Sequence, residues 1–216
     1  MHFVYIAILG WVGSWAEANQ DVSMENKSCY RHVSALPNGA FFESDDPRLL
    51  AERLVVILKS RRQLVLFEQG VQYQNNGIAG CWQVALGVGA QTGVYVSGHK
   101  QKEGDRKTPE GWYRTSDKPT SQFYKAIAIH YPNLDDARAG LARGAITREE
   151  FVQIKHRLED GEKPNQNTSL GGEILIHGGG SASDWTLGCI GMDNHDLDAL
   201  RSVLPSQMNV DVLILP

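Results

Sequence analysis

The 216-residue sequence predicts a mostly β domain, a barrel or sandwich, carrying a helical insertion and a short helix towards its C-terminal side. Two observations predict it. Short β-branched and aromatic runs recur between charged or glycine turns, and a single stretch in the middle has helical composition bounded by a cap and a glycine.

The elements follow in chain order. Residues 19–53 are polar and broken by "LPNG" and "DDP", which reads as a loop-rich N-terminal extension with at most a short helix. From Leu54 the texture changes: "LVVILKS", "QLVLFEQ" and "GVQYQ" read as hairpin strands, and "CWQVALGV" as a further strand. The glycine-containing loop "GHKQKEGDRKTPEG" follows, then strands in "WYRTS" and "FYKAIAIHY". Leu134 to Leu158 is helical in composition; Thr147 with Glu150 forms a capping box and Gly161 closes the segment. "EILIH" is a strand, "NHDLDALRSVL" a helix with Asn194 as its cap and Asp196 in its first turn, and "NVDVLIL" a final strand.

Composition excludes some functions. With 21 basic and 25 acidic residues and a net charge of -4, the chain lacks a phosphate-binding footprint, so nucleic acid is not an expected partner. Phe3 to Val12 is apolar but too short to span a bilayer comfortably, and "SWA" and "AEA" read as small-x-small cleavage sites. Residues 1–18 are therefore expected to be a signal peptide, although the leader has no Lys or Arg; a buried first element is the alternative. The mature chain, 54–216 with its 19–53 extension, is expected to be exported to the periplasm or cell wall, without a membrane span and as a monomer. Of three cysteines, Cys29 and Cys81 either bridge the extension to the body or remain two buried thiols. Cys189 is left over.

Cys189 is the candidate nucleophile. A reactive thiol needs a base, and His177 ends a strand where its ring can be held rigidly. "GGGSASDWTLG" between them permits the chain to fold back, and Gly188 lets main-chain amides approach a reacting carbonyl. A metal site built from His177, His195 and Cys189 matches no common zinc spacing. Trp185 lines a groove or pins the loop; Asp184 orients His177 or, in preference, caps a turn.

These motifs carry a resemblance. "ILIHG" and "WTLGCIGM", with the upstream stretch from Gly104 to Tyr113, resemble the L,D-transpeptidase catalytic domain of YkuD type over about Leu54 to Pro216. His177-Gly178 and Thr186-Leu187-Gly188-Cys189 stand at the family's strand-end His-Gly and Ser/Thr-x-Gly-Cys positions. "YPNLDDA" and "MDNHDLDAL" are also similar to the family.

The resemblance implies that Cys189 attacks the amide carbonyl after a diaminopimelate in a peptidoglycan stem peptide, forming a thioester. His177 would serve as base then acid, oriented by a main-chain carbonyl near Gly178, with amides around Gly188 and Cys189 holding the oxyanion. Beside what the resemblance implies, Thr186, Trp185, Lys100 and Tyr113 are expected to contact substrate, and no cofactor or metal is required. Two positions depart from the pattern: Leu187 stands where His is frequent, and Gly191 where Arg is usual. Lys100, Arg106, Lys107 or Arg114 would then anchor the substrate carboxylate. The departures leave open hydrolysis, as an amidase or L,D-carboxypeptidase, a secreted effector, and a non-catalytic wall-binding module.

Overall fold

The computed structural model describes residues 28–37, 41–89, 95 and 97–216; the expected signal peptide lies outside the described residues. Strands β1 (Leu54–Leu58), β2 (Gln63–Glu68), β3 (Val71–Gln72), β4 (Gln74–Asn75), β5 (Ile78–Ala79) and β6 (Cys81–Gln83) come first. Strands β7 (Gly111–Ser121) and β8 (Tyr124–Ile129) precede helices α1 (Leu134–Ala142) and α2 (Arg148–Glu159). Strands β9 (Leu175–His177) and β10 (Ile190–Gly191), helix α3 (Asn194–Val203) and strand β11 (Asp211–Leu215) complete the chain.

Nine strands form one mixed sheet in the order β10-β9-β8-β7-β11-β1-β2-β3, with β6 also paired to β2. The mostly β domain with a helical insertion and a short helix towards the C-terminal side is as expected, but no closed barrel forms among the described residues. The segment after β6 instead reaches across to the far edge by isolated bridges, Ala85 to Gly191 and Gly87 to Thr186. Paired main-chain bonds of 2.8 Å between Ala85 and Gly191 make the first of these. The segment thus laces the two ends of the sheet without a continuous ladder.

Alternation along β1 explains why its run is apolar throughout. Val55 and Ile57 enter the main core with Ile127, Ile176, Ile190, Leu197 and Leu200, while Leu54, Val56 and Leu58 face the opposite side. Val33, Leu36 and Leu49 of the N-terminal extension cover that second face. The extension has two 3-10 turns, Val33–Ala35 and Pro47–Leu50, and a disulfide between Cys29 and Cys81 ties it to β6. In the chain-entropy picture, a bridge closing 52 residues stabilises by about 4 kcal/mol.

Helices of nine and twelve residues are too short to persist alone. Capping boxes at Asn133/Asp136 and Thr147/Glu150 satisfy their first amides, and Ala137, Ile146, Ile154 and Leu170 give the insert its own small core.

Asn194 is not the cap of α3. Asp193 is, without a side-chain cap bond; the Asn194 and Asp193 side chains accept from the amides of Gly179 and Ser181 at 3.0 Å. Both side chains fasten the turn that follows His177.

Candidate active site

Sheet register assembles the site. Lys118 pairs with Ala126, Ala126 with His177 and His177 with Gly191, making one row across β7, β8, β9 and β10. The next row holds Ser116, Ala128 and Leu175, and continuing the β9–β10 register sets Cys189 beside Leu175. Paired residues project to one side, so Cys189 and His177 share a face, in adjacent rows. Their Cα atoms stand on the order of 8 Å apart, given strands about 4.8 Å apart and a rise of about 3.3 Å per residue. Ala126, Ala128 and Leu175 pack against Cys189, and the two alanines keep this face shallow.

His177 is buried and its Nδ1 lies 2.6 Å from the carbonyl oxygen of Gly178. A carbonyl only accepts, so Nδ1 carries the proton and Nε2 is the basic nitrogen. Burial lowers the His177 pKa below its usual 6.5, opposed by the Gly178 bond, so the ring is a neutral base at pH 7. Phe123 stacks on it with centroids 4.6 Å apart, and Trp185 meets it edge-on at 5.4 Å. A side chain at Gly178 would place its Cβ 2.3 Å from Asn194 Oδ1, which explains the glycine.

Cys189 is half-buried and carries the free thiol, whose Sγ donates to the Glu173 carbonyl at 3.3 Å. Burial pushes its pKa up to about 11; a Leu175 main-chain bond and the charges of Lys100 and Lys118 pull the other way, while Glu173 adds to the rise. The thiol is therefore protonated at neutral pH, and reaction needs a base to take its proton.

The turn before the cysteine is tight. Gly188 has φ +121°, and a Cβ there would fall 2.8 Å from the Lys107 carbonyl. Thr186 is buried, donates to the Cys189 carbonyl at 2.7 Å and accepts from the Gly188 amide at 3.3 Å. Thr186 is thus a staple of the turn and not a substrate contact, and the Gly188 amide is engaged internally instead of facing a reacting carbonyl.

Other expected contacts move. Tyr113 lies in the main core, its hydroxyl within 2.9 Å of Glu110 O and 3.1 Å of Asp136 Oδ2 and able to donate to either, too deep for substrate. Lys100 is buried, with Nζ donating to Lys102 O at 2.9 Å and Asp105 Oδ1 at 3.1 Å, though its charge still acts on Cys189. Arg114 pairs with Asp211 and Asn209 at the sheet surface.

Arg106 and Lys107 border the turn by their carbonyls, which close on Gly87 and Gly188. Asp184 neither orients His177 nor caps a turn: it accepts from the Arg62 guanidinium at 2.8 Å and from the Leu86 amide at 2.8 Å. Trp185 stands on the rim, 36% exposed, its Nε1 donating to Gly180 O.

Gly191 also has a reason. A Cβ there would lie 2.9 Å from Gly180 O and 3.3 Å from both Ala85 Cβ and Trp185 Nε1, so any side chain must push these neighbours aside.

The sequence profile of the L,D-transpeptidase catalytic domain, YkuD, matches residues 52–212. The chain belongs to this family. The L,D-transpeptidase family acts on peptidoglycan. A protein of Escherichia coli (strain K12) named "Putative L,D-transpeptidase YafK" is 37% identical over 90 residues, 40% of this chain. The chain spans only a third of that relative's length (33%). Among solved structures, the helical cell shape determining protein Pgp2 from Campylobacter jejuni is 24% identical with a TM-score of 0.47, covering 75% of this chain and 46% of that one. An L,D-transpeptidase from Xylanimonas cellulosilytica is 14% identical with a TM-score of 0.41, covering 76% and 60%. Among the described residues, no helix is long and apolar enough to cross a membrane.

Phe123, Glu173 and Lys118, which act on the pair directly, and Lys163, which reaches it through Glu173, were not singled out by sequence reasoning. Lys118 and Lys163 both bind the Glu173 carboxylate, Lys163 at 3.0 Å. Only Phe123 carried a local signal, as an aromatic at the start of the alternating run "FYKAIAIHY".

Proposed function

We propose that this protein is a cysteine L,D-transpeptidase acting on peptidoglycan stem peptides through a thioester. The observation that carries the reading is the His177 ring, its Nδ1 proton held by Gly178 O and its Nε2 left basic, on the same sheet face as Cys189.

In the free protein the thiol points to Glu173 O. Rotation about its Cα–Cβ bond turns Sγ towards Nε2, which takes the proton as sulfur attacks the amide carbon. The tetrahedral oxyanion draws on the Cys189 amide, since that of Gly188 is bonded to Thr186. Collapse breaks the C–N bond, and the imidazolium returns its proton to the leaving amine. An acceptor amine, deprotonated by the same nitrogen, then displaces the thiolate from the thioester.

The disulfide fits an exported protein, because such bridges persist in oxidising compartments. Water as the acceptor, giving a carboxypeptidase or amidase, is the second reading; the absence of an arginine at Gly191 favours it by removing one grip on the substrate.

Purified tetrapeptide muropeptides incubated with the enzyme and analysed by mass separate these. A dimer linked between two diaminopimelates marks the transpeptidase, and a shortened tripeptide the hydrolase. Products must vanish with Cys189→Ala. No product and no acyl adduct on Cys189 in the unaltered protein refutes both readings.

A further inference from the structure

Two ammonium groups share one carboxylate beside the thiol. Lys118 of β7 and Lys163, beyond α2, both donate to Glu173, and no other ion pair engages either lysine among the described residues. The cluster thus carries one positive charge more than it neutralises.

Glu173 is itself unusual. It has φ +51°, in the left-handed region that non-glycine residues seldom adopt, and its main-chain carbonyl receives the Cys189 thiol proton. One residue therefore links the lysines to the nucleophile.

Glu173 and Lys163 also line a cleft of about 580 Å³ with Glu103, Gln166, Asn167 and Thr168. The lining thus holds an ammonium, Lys163, and a second carboxylate, Glu103, which suits a group carrying both charges. Gly191 offers no charge to a carboxylate, and a Cβ there would crowd Gly180 O, Ala85 and Trp185. All three charged side chains of the cluster are partly exposed, so their ion pairs are individually weak and exchangeable.

We propose that Lys118 and Lys163 are the carboxylate-binding pair of this site, that Glu173 fills the position in the free protein, and that the ligand is the zwitterionic amino-acid end of a diaminopimelate side chain. This rests on the reading of the protein as a stem-peptide enzyme. The incoming carboxylate takes both lysines, Glu173 is released, and the ligand's ammonium faces Glu103.

Binding tests it without requiring turnover. Cys189→Ala protein is titrated calorimetrically with a stem tetrapeptide whose diaminopimelate carries a free carboxylate, and with the same peptide as its carboxamide. The acid form is expected to bind about tenfold tighter. Lys118→Met and Lys163→Met, each added to Cys189→Ala, should erase that preference and leave carboxamide binding unchanged. Glu173→Gln, which removes the resident competitor, should tighten the acid form several-fold.

The proposal is overturned by variants that keep the preference, by equal loss for both peptides, by weaker acid binding in Glu173→Gln, or by no binding at all. Acylation of Cys189 in the unaltered enzyme is scored separately. A protein that acylates but does not discriminate refutes this proposal alone, and one that discriminates but never acylates refutes the catalytic reading alone.

Discussion

Phe123 lies against His177, the two rings stacked with centroids 4.6 Å apart and planes inclined by 25°. The contact keeps water from one face of the ring, and burial is the leading cause of the lowered His177 pKa. A base must be unprotonated, so activity should fall as pH drops through that value. Phe123→Ala should raise the pKa towards 6.5, moving the acidic limb of the kcat/KM profile to higher pH and lowering the rate at pH 6 by at most about fourfold. Histidine titration by NMR checks the shift independently of substrate.

Arginine cannot simply be restored at Gly191. Its side chain would displace the Gly180 carbonyl and the Trp185 indole, which lie 2.9 and 3.3 Å from where its Cβ would stand. Gly191→Arg should cost about 1–3 kcal/mol in stability, read as a lower Tm, and reduce turnover. Adding Trp185→Ala should recover part of the loss by opening one of the three close contacts, the others being Gly180 O and Ala85 Cβ.

Lys59 anchors the loop that covers the Gly188 turn. Its buried ammonium donates to Glu110 at 2.7 Å, Thr108 O at 2.8 Å and Gly98 O at 2.9 Å. Lys59→Met leaves Glu110 buried without its counter-charge and should destabilise by about 3–5 kcal/mol in chemical denaturation. Converting Glu110 to Leu in the same chain should return much of that loss.

His130 makes stability depend on pH. It is 3% exposed, bonded to Ser116 Oγ at 3.0 Å, and its pKa is lowered to about 4 by burial first and then by the charges of Lys163 and Arg114. The unfolded chain, titrating near 6.5, binds this proton more readily than the folded one. Stability is therefore intact above pH 6.5 and lost as pH falls to about 4, by about 3 kcal/mol at most. His130→Gln should flatten denaturation midpoints across that window.

The alternating and β-branched runs were sufficient to locate most strands, because burial of one or both faces is written locally in β1, β8 and β11. The α2 cap was equally legible, since Thr147 and Glu150 are three residues apart. What failed depends on who pairs with whom. The two-residue strands β5 and β10 are too short for any pattern, and the isolated bridges that lace the sheet ends involve residues about a hundred apart.

At the site, the thiol and the imidazole stand out by residue type and setting. Thr186 and Tyr113 do not reveal from sequence that they turn inward, and Asn194 sits at a plausible cap position while its side chain serves a different turn. The Lys118–Glu173–Lys163 cluster joins β7 to the segment between α2 and β9, 55 residues away, which no local pattern announces.

The bridge between Cys29 and Cys81 has a consequence for maturation, since three sulfurs allow three pairings and only this one leaves Cys189 unblocked. A chain that oxidises in either wrong combination loses its strap and masks its nucleophile at one stroke. Reshuffling by an external thiol would free the Cys189 sulfur and restore the strap in the same event.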